Sequence, residues 1–300
     1  MGRLHLGVAL PNYLGQLSPQ DLVQALQVAE SHGFDSAWTT DHIAVPEHAA
    51  PIYGNITEAL VTLGFAIGHT TSLRLGTSAL VVPQREPVLA LKQLHSLDYL
   101  SGGRLITAVA AGWIQEEFEL LGASFAQRGR RLDGWLELVD DVQEQAPGPV
   151  DHSGIVTMRR NWMSPAPARA DGLELWVAGG SGAALRRAAR VGTWHPVAHT
   201  PDAIREGADK LRAQRADAAI VHRIGVSFAE SPDEDGRDER GRHGISGPPD
   251  WIASRLIEQV EAGCNGFVVT LEISRPGLPE RIDRFAREVW PTVVAAQEAG

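Results

Sequence analysis

SLRLGTSALVVPQREPVLALKQLHSLDYLSGGRLITAVAA, residues 72–111, reads as strand, helix, strand. The β-branched and apolar run at 72–82 ends at Pro83. A helical pattern follows over 88–100, the Ser101-Gly102-Gly103 turn stops it, and RLITAVAA (104–111) is strand-like again. Two apolar strands joined through a helix form a parallel pair buried on both faces.

Working outward in both directions, the same alternation continues. LHLGVAL (4–10) reads as the first strand. Ser18-Pro19 supplies an N-cap and a first-turn proline for a helix with Leu22, Leu26 and Ala29 on one face, which Gly33 ends. FDSAW (34–38) is the second strand and TEALVTLGFAIGHT (57–70) its helix. On the other side, Leu132, Trp135, Leu136, Val139 and Val142 recur at helical spacing between about 130 and 145. LELWVAG (173–179), TWHPVA, AIVHRIGVSF and NGFVVTLE (265–272) then alternate with helices after residue 182, near 201–215 and near 249–262. A closing helix carries Ile282, Phe285, Ala286 and Val289. Roughly eight strand–helix pairs predict one (β/α)8 TIM barrel over residues 1–300, with an open doubly wound sheet as the structural rival. Two connections are long: IAVPEHAAPIYGN after the second strand and ESPDEDGRDERGRHGISGPPD after the seventh. Both follow strands, so in a barrel they extend the catalytic face, as lids or walls. The second also reads as a solvated charged loop.

Composition limits the function classes. Apolar residues make up 43% of the chain, enough for one large core. Cys264 is the only cysteine, which excludes a disulfide framework and fits a reducing, cytoplasmic setting. The apolar run in MGRLHLGVALPNY is too short for a secretory signal, and no stretch approaches a membrane span. A net charge of −10 with dispersed arginines speaks against nucleic acid. Lys92 and Lys210 are the only lysines, a bias typical of a GC-rich genome such as an actinobacterial one.

Four features could carry chemistry. Asp41-His42 follows the second strand, where an imidazole could hold or move a proton; such a pair is also a common cap or turn. Gly76, Thr77 and Ser78 suggest a bulge or a close approach of backbone to a planar group, or a plain barrel strand. Gly179-Gly180-Ser181-Gly182 joins a strand to a helix start, which suits a phosphate but also serves any turn. Trp113, after Gly112, either walls a ring-binding pocket or covers the core. Other signals are poor. The glycine turn is not G-x-G-x-x-G, and Asp202, about twenty residues on, sits at a helix start rather than a strand end. His42 and His48 have poor metal spacing, and no G-x-S-x-G is present.

In order along the chain, AESHGFDSAWTTDH (29–42), residues 76–105, AAGWIQEEFELLGASFAQRGRRLD (110–133), LELWVAGGSGAALRRAARVGTWHP (173–196) and EAGCNGFVVTLE (261–272) together resemble the luciferase-like oxidoreductases, in particular their coenzyme F420-dependent branch. The resemblance implies a deazaflavin or flavin ring across the barrel mouth and hydride transfer to or from a small organic substrate. It places Asp41 and His42 beside the ring as the catalytic pair. It implies Ser78-Ala79 as a bulge that in several members holds a cis peptide bond, Ala111 and Gly112 near the ring, and Gly179 to Gly182 at the cofactor phosphate. A homodimer is the expected assembly. Glu117, Arg128 and Arg131 also match, and read as structural ion pairs. The sugar-phosphate dehydrogenases of this branch carry a catalytic glutamate where Trp113 stands, which speaks against that substrate class. Gly192-Thr193-Trp194 departs from the usual Gly-Asp-Gly-Trp with no physical account. An FMN-dependent monooxygenase using O₂ is the alternative; an inactive flavin- or partner-binding barrel is a third reading.

Overall fold

Residues 2–12, 18–238, 241–273 and 276–299 are described by a computed structural model. Eight parallel strands close on themselves: β1 (His5–Ala9), β2 (Ser36–Thr39), β3 (Arg74–Leu80), β4 (Leu105–Val109), then, numbered past a short hairpin of β5 (Gly148–Ser153) and β6 (Thr157–Met163), β7 (Glu174–Ala178), β8 (Thr193–His195), β9 (Ala219–Phe228) and β11 (Gly266–Leu271). The ring runs β1-β2-β3-β4-β7-β8-β9-β11 and closes where β11 pairs with β1 and β9 with β8. The expected (β/α)8 barrel is therefore the observed fold, and the open sheet is excluded. A ninth strand, β10 (Gly244–Gly247), lies inside the long connection after β9 and pairs parallel with the upper half of β9.

The helices form where the sequence expects them. The helix Pro19–Ser31 starts with Ser18 accepting from Asp21 N while Asp21 accepts from Ser18 N, a reciprocal cap. The helix Arg128–Gln145 buries Leu132, Trp135, Leu136, Val139 and Val142, the residues its periodicity names. Five features go beyond the sequence reading: the β5–β6 hairpin, the strand β10, short helices Ala50–Tyr53 and Gln115–Leu120 in the connections after β2 and β4, and a terminal helix Trp290–Ala299 after the closing helix Leu278–Glu288. Among the described residues no helix is long and apolar enough to cross a membrane.

Inside the barrel, Trp38 and Trp176 pack with ring centroids 4.7 Å apart, and Trp38 stacks on His195 at 5.3 Å and 19°. Gly7 and Gly76 make room for them: a Cβ on either residue would lie 2.5 Å from the Trp38 indole. The planar group that Gly76 admits is thus the protein's own tryptophan rather than a ligand. Filling that space overpacks the interior, so Gly76→Val should destabilise the fold by ~1–3 kcal/mol, read as a lower denaturation midpoint at unchanged m-value. An unchanged midpoint contradicts this packing.

Candidate active site

The C-terminal ends of the strands surround a cavity of about 390 Å³. Nine of the ten residues named from sequence line it, namely Asp41, His42, Ser78, Ala79, Ala111, Gly112, Gly179, Gly180 and Ser181. Gly182 does not line the wall; it is the first residue of the helix Gly182–Val191 behind the turn.

His42 is buried at the end of β2. Its Nδ1 lies 3.0 Å from Glu117 Oε2. Glu117, 1% exposed, also accepts from the backbone N–H groups of Ile43 and Ala44. Burial pushes the Glu117 carboxyl up, but hydrogen bonds from His42 and Ile43 outweigh it and hold the group below the ordinary carboxylate range. An ionised Glu117 makes Nδ1–H the donor, which leaves Nε2 as the imidazole's free atom. Glu117 is therefore an ion-pair partner, as expected, and its partner is His42 at the cavity wall, although Glu117 does not itself line the cavity. Arg128 and Arg131 form no ion pair among the described residues: Arg128 lies over the Phe125 ring at 3.8 Å, and Arg131 donates to Pro83 O and Arg85 O.

Asp41 has a different part from the one its position suggests. Its two oxygens accept from Val81 N at 2.8 Å and Arg85 Nη2 at 2.6 Å. Burial raises its pKa against the pull of Arg85. With both oxygens engaged, Asp41 orders the chain just beyond β3 and acts as a positioning residue.

That strand end is irregular. Register against β4 shifts between Thr77 and Leu80, and the Ser78–Ala79 peptide is cis. Ser78 Oγ lies 2.8 Å from His195 Nε2, and His195 Nδ1 lies 2.6 Å from Val221 O. Burial drives the His195 pKa down to about 3, so the ring is neutral. Its Nδ1–H then donates to Val221 O, and Ser78 Oγ–H donates to Nε2. Arg223, 3% exposed, donates to Ser78 O, Ser78 Oγ and Thr40 Oγ1, and completes the cavity floor.

The far wall is the glycine turn. Gly179 has φ 114°, which glycine alone adopts readily, and its carbonyl accepts from Trp194 Nε1 at 2.8 Å. Ser181 caps the following helix by accepting from Ala184 N. The first amides of that helix have no intrahelical backbone acceptors and form the positive end of its dipole. Arg128, Arg187 and Arg242 line the same cavity, so the wall favours an anion.

The mouth is aromatic. Tyr53 lies 4.2 Å from His42, and Trp113 stands edge-on to both at 6.1 Å and 6.3 Å. Trp113 lines the cavity while remaining 61% exposed, so it is a wall and not a core cover. The connection after β2 supplies Tyr53, and the connection after β9 supplies Arg242, tied to Asp238. Glu239 and Arg240 of that connection lie outside the described residues. His48 is exposed, and the described residues contain no cluster able to hold a metal.

The sequence reading missed Glu117 as a partner of His42, and Tyr53, His195 and Arg223 altogether. Only folding brings them in, since Glu117 stands 75 residues from His42 and Arg223 stands 145 from Ser78. A buried arginine inside an apolar strand run was the one local signal for Arg223.

A barrel whose strand ends gather a carboxylate–imidazole pair, an aromatic mouth and an anion-binding turn has the layout of an enzyme site. The sequence model of the family described as luciferase-like monooxygenase matches residues 4–250, and the chain belongs to that family. An uncharacterised protein of Mycobacterium tuberculosis is 30% identical over 205 residues, covering 64% of this chain and 70% of that protein. Among solved structures, an F420-dependent secondary alcohol dehydrogenase in complex with an F420-acetone adduct matches with TM-score 0.79 at 20% identity, covering 97% of this chain and 99% of the other. A type II Baeyer-Villiger monooxygenase from Pseudomonas putida in complex with FMN matches with TM-score 0.75 at 14% identity, covering 97% and 98%. At such identities both establish the fold alone.

Proposed function

We propose that this protein is a coenzyme F420-dependent oxidoreductase that moves a hydride between the deazaflavin and a small organic substrate with a carbonyl, an imine or an activated C=C bond. The observation that carries the reading is the His42–Glu117 pair at the cavity wall, set in the same cavity as an anion-binding turn. The residues present fit such a cofactor. The Gly179–Gly182 turn, the first amides of the helix Gly182–Val191, and Arg128 and Arg187 suit its anionic tail; Ser78-Ala79 and Ala111-Gly112 suit its ring. Bound there, the deazaflavin supplies or accepts the hydride.

The chain's own part is positioning and proton handling. Reduction of a carbonyl leaves a developing alkoxide that needs a proton, and His42 Nε2 is the group placed to give it. Glu117 accepts from Nδ1 and fixes the ring orientation. Asp41 and Arg85 hold the end of β3, so that floor and imidazole keep one geometry.

The second reading, an FMN monooxygenase, draws on the likeness to the FMN-bound barrel. It makes less of the carboxylate–imidazole pair. The two separate in one assay. Under nitrogen, reduced F420 mixed with enzyme and an enone or ketone should be oxidised in step with substrate reduction. Substrate-dependent O₂ uptake with reduced FMN, and no anaerobic F420 oxidation, overturns the proposal.

A further inference from the structure

We infer that the substrate of this site carries a flat, uncharged aromatic or conjugated ring that lies against Trp113. The inference rests on the proposed function and specifies its substrate class. Trp113 is held at the cavity rim by its neighbours. Gly112 before it has φ 86°, and a Cβ there would lie 2.6 Å from Val81 Cγ1 and 2.7 Å from Phe118 Cε2, so the chain reverses close against the core. The indole is thereby placed against the mouth, 61% exposed although it lines the cavity. A large aromatic surface left open beside a cavity marks a place where a ligand completes the packing.

Tyr53 and His42 pack beside Trp113, with ring centroids 4.2 Å apart and tilted at 41°. Tyr53 faces Trp113 at 6.3 Å and 63°, and His42 faces it at 6.1 Å and 89°. The three rings form one continuous edge-to-face cluster, so a ring seated on the open face of Trp113 extends that cluster. Its reacting substituent stays beside His42, the group that handles the proton.

Aromatic walls also attract cations, and here the surroundings oppose that. Arg128, Arg187 and Arg242 line the same cavity. Asp41 is the only carboxylate among its described lining residues, and Arg85 and Val81 N occupy both its oxygens. Arg187 and Arg242 are paired with Asp133 and Asp238, while Arg128 is not paired among the described residues, so a cationic substrate would meet like charge with no lining carboxylate left to receive it. In the proposed reading the anion-binding turn and the arginines are turned to the cofactor's anionic tail, which leaves the face of Trp113 to a neutral ring, and ring stacking with the area it buries makes up the expected difference.

The test is calorimetric binding of two enones that share the reacting group, benzylideneacetone and ethylideneacetone. It is run on the protein with and without coenzyme F420. The phenyl enone should bind about tenfold more tightly than the methyl one. Trp113→Ala should level the two, and Trp113→Phe should restore most of the preference. Equal affinities in the unaltered protein, or a preference that survives Trp113→Ala, overturn the inference. Failure of F420 to load overturns the proposed function instead, and the ring preference is then decided on the protein alone.

Discussion

Replacing His42 by alanine should lower kcat by about 10²–10⁴-fold, the usual contribution of a positioned acid–base group. Cofactor affinity should change far less, because the anion-binding turn and its arginines belong to other elements of the barrel. The fold should survive, since His42 sits beyond the end of β2 and outside the barrel core. Glu117→Gln should also slow turnover, but less. An amide can still meet Nδ1 through its carbonyl, but a neutral acceptor holds the ring less firmly than a carboxylate. Its cost to stability follows the direction of the Glu117 shift. A carboxyl held below its unfolded value stabilises the fold above pH ~4.3, and that contribution is lost as pH falls through the folded value. The substitution should therefore narrow the stability difference between neutral and strongly acidic solution. Turnover by His42→Ala equal to that of the unaltered enzyme removes His42 from the mechanism.

Acid should unfold this protein early, and the cause lies in buried histidines rather than in carboxylates. His195 and His222 are fully buried. Burial drives His195 down to about 3 and His222 well below its ordinary value. The unfolded chain takes up these protons near pH 6.5, while the native state refuses them until far lower pH. Between those limits the unfolded state binds more protons, so stability falls as pH falls. Each histidine contributes a slope of ~1.4 kcal/mol per pH unit below about 6.5. With a domain stability of ~5–15 kcal/mol, two such groups bring the transition into mildly acidic solution. Denaturant midpoints measured from pH 7.5 to 4.5 should drop steeply below pH 6.5. A flat profile across that range contradicts the buried neutral state of both rings.

The barrel was legible because its signal is repeated. Each strand of the ring is a short apolar run, each is followed by a helical stripe, and the count closes at eight. The hairpin at 148–163 carries its own two-residue alternation, with Gly148, Val150 and His152 buried and Asp151 and Ser153 exposed. It was lost because a run that short between helical patterns reads equally as loop. The strand at Gly244–Gly247 was hidden by its glycines and by the charged stretch before it; Gly225 and Gly244 are what let that stretch lie so close to β9. At the site, the pieces with a local signature were readable: a His at a strand end, a glycine turn before a helix, small residues at the end of β3. The partnerships were not. Asp41 turned out to serve Arg85 and Val81, and Glu117 to serve His42, because both depend on which loop lies over which strand end. Gly76 shows the same limit, since its missing side chain is explained only by Trp38, one strand away. The replacement at Thr193 has no structural explanation.

The most direct measurement is an equilibrium titration of the purified protein with coenzyme F420 and, separately, with FMN, followed by ligand fluorescence. F420 should bind saturably at one site per chain, FMN should bind weakly or not at all, and inorganic phosphate at high concentration should compete with F420. Tight FMN binding with no F420 binding contradicts the deazaflavin assignment.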